Sequence, residues 1–445
     1  MRGDTAMKKL VSVFLTLIVL FALTACGVEL EDNIIDFSES QTQPTTITVW
    51  LDDTDGVFAA EVIPAFNEVY PDIIVEFQHK GALDSRNDLK TYGLVEGLGA
   101  DVFMFPHDHL SLAMLENLVY TLPDSLLTTL KATVQPIALN IATAGTLGTT
   151  NEELYAVPIS IESIFMMYNK ELISAEEVAA LDSWPELIAA AEQYAIDNPG
   201  EQLLTTNSHW ADNYYLQTVY SAFGWRPHGV DGIDGTEVGF ESAELLAALT
   251  WLTTELKPVV TGNDAYNSAS TTLFEQGVAA MMIAGPWSIR TMQDAIDAEN
   301  LGAAVLPSFE GVTGATHTPS TYAGSQMVAV YKNSSNREAA IKFVEFLASE
   351  TAQQILYRTS NDLPALIDLS NITDSDENPI TDDPFMEVMI AQLQTSIPMP
   401  TIAEVTYYWA AAQTMVVNIW DTNADIATEQ KKAEASYLAS KALGS

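Results

Sequence analysis

The sequence predicts an α/β protein of two lobes, and three observations carry that expectation. Its 445 residues exceed what one core usually covers, so the chain is expected to divide. Ile47-Thr-Val-Trp-Leu51, an amphipathic stretch over 57–70 and Ile73-Ile-Val-Glu-Phe77 read as a β-α-β unit, the mark of a mostly parallel sheet flanked by helices. A third apolar run, Gly99 to Phe105, stops at Pro106-His107-Asp108-His109. In open α/β sheets ligands bind beyond the carboxyl ends of strands. That rule makes the His-Asp-His cluster and the acidic turn Asp52-Asp53-Thr54-Asp55 after the first strand candidate ligand positions.

Composition narrows the function. The chain is 48% apolar, as an ordinary globular protein is, but sixty acidic residues against eighteen basic give a formal charge of −42. Such a surface repels nucleic acid and anionic lipid, and it favours a neutral ligand over an anionic one. Solubility near a cell surface and a salty habitat would each account for the excess. A single cysteine excludes an intrachain disulfide. Its setting explains it: Met7-Lys8-Lys9 precedes an apolar run from Leu10 to Ala22, and Leu23-Thr-Ala-Cys26-Gly27 follows. A run this short with small residues at its end reads as a signal peptide over 1–25, beginning at Met1 or Met7, and not as a spanning helix. The Leu-x-Ala-Cys ending resembles the bacterial lipobox. That resemblance implies lipidation of Cys26, membrane attachment through that lipid only, and a location on the outer face of the cytoplasmic membrane. Residues 26–45 are polar and acidic, a flexible tether.

Taken in order, the first helix is expected to bury Phe58, Val62, Phe66 and Val69, with Pro64 implying a kink or a late start. At the end of the third strand, Phe105 offers an apolar platform, and Asp108 and His109 offer hydrogen-bond partners. Two histidines flanking an aspartate suggest a metal, but no further His or Cys cluster completes a site, so none is expected. Between Glu153 and Lys170 the sole carboxylate is Glu162, set among apolar residues that read as a buried strand. An ionised carboxylate out of water needs a partner, so Glu162 either faces a wet cleft and a polar ligand or is paired to a backbone amide or lysine.

Downstream, Ser183-Trp-Pro-Glu186 has capping-box spacing and opens a helix over 187–194. Asn207 to Gln217 reads as a helix whose first turn carries Asp212 and Tyr214. A clear amphipathic helix spans 244–256, Tyr266 lies in a polar loop, and the buried strand Gly277–Ile283 ends in the turn Gly285-Pro286-Trp287. Further strands are expected at 301–307 and 325–331. Helices follow Asn336 and Ser349, Leu363-Pro-Ala365 is hinge-like, and Tyr407-Tyr408-Trp409 leads into an apolar helix.

Several of these segments, in order, match one family. Thr48-Val-Trp50, Pro64-Ala-Phe66, Gly99-Ala-Asp101 through Phe105-Pro-His-Asp108, Ala156-Val-Pro-Ile through Tyr168-Asn-Lys-Glu-Leu172, Ser183-Trp-Pro-Glu186, Gly285-Pro-Trp287, Val305-Leu-Pro-Ser-Phe309 and Met399-Pro400 through Trp409 are among the matching stretches. The mature chain thereby resembles the sugar-binding members of the extracellular solute-binding proteins of ABC importers, and within them the maltose- and maltodextrin-binding proteins. The resemblance implies a two-lobed, periplasmic-binding-protein-like fold with a hinge. Lobe one would comprise 46–160 plus 320–365, and lobe two 161–319 plus 366–445. A neutral oligosaccharide would lie between them, with Phe105, Trp287 and Trp409 stacking on it, Tyr214 and Tyr266 as further aromatic contacts, and Asp108, Glu162 and Asp212 accepting hydroxyls. It also implies a monomer that uses no cofactor, works with a permease pair and its ATPase, and catalyses nothing. Departures occur where the family carries cations. Asp52, Asp53 and Asp55 stand where a Lys adjoins an Asp, His109 stands for an Arg and Gln413 for a basic residue; Asp53 and His109 count as ligand positions by that correspondence. A glycan hydrolase, which needs a carboxylate pair, is the main reading of another class.

Overall fold

A computed structural model describes residues 44–95, 97–144, 152–260, 265 and 270–444. The expected leader, the tether up to Gln43 with Cys26, and Tyr266 lie outside these residues. The strands are β1 (Thr45–Leu51), β2 (Ile73–His79), β3 (Val102–Pro106), β4 (Thr143–Ala144), β5 (Glu153–Leu154), β6 (Val157–Pro158), β7 (Phe165–Asn169), β8 (Gln202–Thr206), β9 (Ala279–Ala284), β10 (Leu301–Ala304), β11 (Tyr322–Ala323), β12 (Gln326–Val330) and β13 (Ile397–Pro398).

Two sheets organise the chain, ordered β2-β1-β3-β12-β6 and β10-β7-β9-β8. In the first, β1 runs parallel to β2 and β3, with Val49 beside Phe77 and Val102, which is the predicted β-α-β arrangement. The sheets are nonetheless mixed. β12 is antiparallel to β3 and β6, and β7 is antiparallel to β9 and β10. These two strands enter directly from segments that cross from the other sheet, so the crossing and not a helix sets their direction.

Burial follows the pleat. Along β7 all five residues are buried. Phe165 and Met167 join the core of the first sheet, whereas Met166 and Tyr168 join a second core with Trp184, Phe240, Tyr408 and Trp420. A period of two covered on both faces is what a continuous apolar run encodes in a central strand. The first helix spans Val57–Val69 and passes through Pro64 without a late start; it buries Phe58, Val62 and Phe66, while Val69 is exposed.

Local readings differ in three places. The helix after Ser183 begins at Trp184 with Pro185 in its first turn, and the Ser183 hydroxyl donates to the Glu186 carboxylate (2.9 Å) instead of capping the backbone. Residues 207–216 form turns, and only Gln217–Ala222 is helical. There the Asp212 carboxylate accepts the Tyr214 N–H (3.0 Å) and the Ser208 hydroxyl (2.5 Å), side-chain bonds that compete with a helical ladder. Third, the packing does not change at residue 365. Ile367 N–H donates to Thr133 O (2.8 Å), Gln354 bonds Thr373 in both directions, and Ile372 and Ile380 lie in the first core. The helix Pro384–Leu393 then packs on β10, and the Gln392 side chain accepts the Leu306 N–H (2.9 Å), so the chain stays with the first sheet's helices to about Asp383.

The crossing segments meet in a polar cluster. Thr321 Oγ1 lies 2.7 Å from both Ser163 Oγ and Ser396 Oγ, and the Ser163 hydroxyl also reaches Tyr322 O (3.0 Å). Beside it, β11 pairs in parallel with β13.

The first core sets a stability prediction. Phe66 is fully buried, with the Phe343 ring 5.0 Å away at 84° and that of Phe346 at 5.5 Å. Phe66→Ala is expected to lower unfolding free energy by about 3–5 kcal/mol, measured by urea denaturation followed by circular dichroism.

Candidate ligand-binding cleft

A cavity of about 570 Å³ opens where the carboxyl ends of strands from both sheets converge. Asp52 follows β1, Ala82 and Leu83 follow β2, and His107 and Asp108 follow β3. From the second sheet, Asn207, Ser208, Asp212, Tyr214 and Tyr215 follow β8, and Trp287 follows β9. Glu162 and Gln326 come from the crossing segments, and Met399 and Trp409 close the cavity from the C-terminal part.

Among the described residues, the lining holds four carboxylates, Asp52, Asp108, Glu162 and Asp212, and neither Lys nor Arg. Glu162 is 8% exposed. Burial, then the charges of Asp362 and Asp108, push its carboxyl up to about 8. Burial likewise lifts Asp108 to about 6, against the pull of Arg86, and Asp362 nearby to about 6. Burial lowers His107 to about 4, so its ring is neutral near pH 7. The cleft can thus accept hydrogen bonds through Asp212 and donate one through a protonated Glu162, a mixture that suits hydroxyl groups.

Local bonds hold these groups still. Asp212 is fixed by Ser208 and its Asx turn, as described above. The Asn207 side chain donates to Ser288 Oγ (2.6 Å) and accepts the Tyr215 hydroxyl, tying the turn after β8 to the turn after β9. Trp287 is 46% exposed, with the Tyr214 ring 6.4 Å away and inclined 58°. Trp409 packs edge-on against buried Tyr408 at 4.9 Å. Two indole rings and two phenols therefore share the cleft with the carboxylates.

Six of the residues singled out from sequence line the cavity: Asp108, Glu162, Asp212, Tyr214, Trp287 and Trp409. Phe105 does not. It is fully buried, stacked on Phe103 at 5.1 Å, because both point into the core from one side of β3. Asp53 caps the first helix, accepting the Ala59 N–H (2.8 Å), and borders a smaller adjoining cavity of about 280 Å³. Its neighbour Asp52 lines the main cleft instead and accepts the Ala82 N–H (2.9 Å). His109 lies outside the lining, near Arg86 and Glu116, its titration lowered to about 4 by burial and then by Arg86. Sequence reasoning missed Asn207, Ser208, Tyr215 and Gln326; it placed His107 in the candidate cluster after β3 but gave the hydrogen-bonding parts to Asp108 and His109. The first three border the predicted Asp212 and Tyr214, so a turn assignment for 207–216 would have found them. Among the described residues, no group of three or more His, Cys, Asp or Glu side chains could hold a metal ion.

Comparison with known proteins places this geometry in context. Residues 61–388 match the family model described as bacterial extracellular solute-binding protein. A maltooligosaccharide ABC transporter solute-binding lipoprotein of Streptococcus pneumoniae (strain ATCC BAA-255 / R6) is 24% identical over 419 residues, 92% of each chain. A galactooligosaccharide-binding protein of Bacillus subtilis (strain 168) is 25% identical over 429 residues, 94% of each chain. Among solved structures, a cyclo/maltodextrin-binding protein complexed with maltotetraose superposes with a TM-score of 0.73 at 22% identity, covering 90% of this chain and 98% of the other. The two sheets and their crossing segments are this two-lobed fold.

The buried carboxyls generate a pH prediction. A carboxyl raised from 4.5 to about 8 keeps its proton in the folded protein over a range where the unfolded chain has lost it. Stability from that group therefore falls as pH rises from about 4.5 to about 8. Glu162→Gln, neutral throughout, removes this term. The melting temperature of the wild type relative to Glu162→Gln, followed by differential scanning calorimetry, is expected to decline across that window; parallel curves would contradict it.

Proposed function

The chain belongs to the family of bacterial extracellular solute-binding proteins, and on that premise we propose that it is the lipid-anchored receptor of an ABC sugar importer. It would bind a neutral, maltodextrin-like oligosaccharide between its lobes and deliver it intact to a permease pair driven by an ATPase. The observation that carries this reading is the lining itself: four carboxyl groups share it with the rings of Trp287, Trp409 and Tyr214, and no lysine or arginine is among the described lining residues. A pyranose has apolar C–H faces that suit Trp287, Trp409 and Tyr214 and a rim of hydroxyls that suits Asp108, Glu162 and Asp212. Glu162, which keeps its proton near neutrality, can donate to one sugar hydroxyl and accept from another, and the oxygens of the other carboxyl groups accept. A phosphorylated or acidic solute would meet acidic side chains and no lysine or arginine among the described lining residues.

Closure would proceed as a hinge motion about the crossing segments. Lobe one would comprise residues 46–160 and 320 to about 383, and lobe two the remainder, with Cys26 and the polar segment to residue 45 tethering a monomer outside the membrane. A second reading keeps the receptor and changes the sugar. The galactooligosaccharide-binding relative supports it, since aromatic faces and carboxylates suit any neutral pyranose.

Isothermal titration calorimetry of the soluble chain starting at Gly27 tests both readings. Maltotriose is expected to bind one to one and to be recovered uncleaved, while glucose, sucrose and glycerol 3-phosphate give weaker heat or none. Trp287→Ala is expected to weaken binding roughly tenfold or more through loss of ring stacking and buried area. Heat with galactooligosaccharides and silence with maltotriose would shift the ligand and retain the receptor; release of new reducing ends would overturn the non-catalytic reading. In cells, Cys26→Ser is expected to move the protein from the membrane fraction to the soluble fraction, read by immunoblotting.

A further inference from the structure

Glu162 and Gly324 stand directly opposite each other on two antiparallel crossing segments, each donating its N–H to the other's carbonyl at 3.0 and 2.8 Å. Such a pair projects its two side-chain positions on one face of the ladder. At residue 324 that position is empty, and the space is used. A Cβ there would lie 3.0 Å from both Cγ and Oε1 of Glu162 and 3.2 Å from Cε1 of His107. The carboxyl and the imidazole thus approach one point from two sides, and a methyl group at 324 would crowd both.

The neighbouring residue orients the imidazole. His107 donates its main-chain N–H to Ser325 O (3.0 Å), and the Ser325 N–H donates to His107 Nδ1 (3.2 Å). An Nδ1 that accepts carries no proton, so the neutral ring holds its proton on Nε2. The His107 side chain is 3% exposed, and its Nε2 has no protein partner. A buried donor left unpaired costs free energy until an acceptor meets it. Ser325 adjoins Gly324, so one crossing segment holds the backbone of Glu162 and the ring of His107 at successive residues.

We propose that Gly324 and His107 are positioning residues for Glu162: Gly324 leaves open the space in which the carboxyl sits, and His107 gives that carboxyl its Nε2–H as the lobes close on a sugar. The inference rests on the cleft being a sugar site. Glu162 and Gly324 lie on the crossing segments, and His107, at the end of β3, is bonded to the second of them through Ser325. The hydrogen bond formed on closure fixes the carboxyl for the ligand hydroxyl and satisfies the buried donor in one step. Hinge position and ligand geometry are then coupled through side chains that adjoin at Gly324.

The test uses the soluble chain starting at Gly27, with histidine ¹⁵N and glutamate carboxyl ¹³C labels. At pH 7, NMR is expected to show His107 Nδ1 unprotonated and Nε2 protonated, with maltotriose shifting both Nε2 and the Glu162 carboxyl. By calorimetry, His107→Phe is expected to weaken maltotriose binding about tenfold, and His107→Gln, which retains an N–H donor, to recover part of that loss. Added to Glu162→Gln, the His107→Phe change should cost nothing further, because the ring acts through the carboxyl. Fully additive losses, or an Nε2 signal unmoved by maltotriose that does bind, would overturn the proposal. A wild type that binds no maltotriose would fault the sugar reading and leave one arm standing. In sugar-free Gly324→Ala protein with an unchanged melting temperature, the Glu162 carboxyl and His107 Hε1 signals must shift, and unchanged signals would overturn the shared space at Gly324.

Discussion

The Glu162 carboxyl is held out of water at the point where the chain leaves the first sheet for the second, and that burial shapes everything around it. Its backbone is committed to Gly324, so the side chain cannot swing to the surface without breaking the crossing. Its surroundings contain Asp108 and Asp362 and no lysine or arginine to offset them. A carboxyl so placed keeps its proton near neutrality, and the cleft acquires a donor among acceptors. The same arrangement would be a liability in a rigid core. It is tolerable at a cavity wall, where a polar ligand can supply the missing bonds.

The shortage of cations in the cleft is not a shortage of cations near it. Arg86 is close enough for its charge to act on Asp108 yet is committed to Glu116, which also takes Lys90 (2.6 Å), while Lys80 pairs with Asp88 (2.6 Å). Eighteen basic residues against sixty acidic ones leave few to spare, and those near the cleft are spent on helix surfaces. Arg290 borders the adjoining cavity, which Trp287 also lines, and is in loose contact with Asp55 at 3.6 Å. The half-exposed Lys80–Asp88 pair contributes little stability, whereas Arg86 and Glu116 are largely buried and hold each other in place. Their consequence is selective: the cavity has aromatic faces and carboxylates with which to hold a ligand, and little with which to hold an anion.

What could be read in advance follows from the physics of each signal. β1, β2 and β7 were legible because long apolar runs with turn residues at their ends admit few other conformations. Asp108, Glu162, Asp212 and Trp287 were legible because polar or aromatic groups at the ends of such runs have nowhere to go but the edge of a cavity. The face of β3 was not legible, since Val102 through Phe105 are all buried and alternation carries no polarity; Phe105 therefore turned inward unannounced. The choice between Asp52 and Asp53 is a one-residue matter of which side of the chain faces the cleft, below what composition can resolve. The turns over 207–216 look like a helix start in sequence because Asn, Ser and Asp favour helix starts and Asx turns alike. Gln326 and His107 gain their roles only from a strand that pairs with β3 from more than two hundred residues away.

The polar junction of the crossings bears on how such a molecule could close. Apolar contacts between well-packed surfaces resist gradual deformation, because a small displacement forfeits much of the contact energy. The first core nevertheless runs up to the inner face of the second sheet, through Phe165, Met167, Met282 and Leu301. A rotation that sheared this contact would be costly, so the axis must pass close to it. The hydroxyls of Ser163, Thr321 and Ser396 lie where the three crossing segments meet, and each can both donate and accept. Rotated by a few degrees, such a cluster can exchange partners without leaving a buried group unpaired, which an apolar seam or a fixed ion pair cannot do. A bending line at these hydroxyls would leave Glu162, one residue from Ser163, paired with Gly324 through its backbone, while the far walls of the cleft, Trp287 and Leu83 among them, would travel furthest.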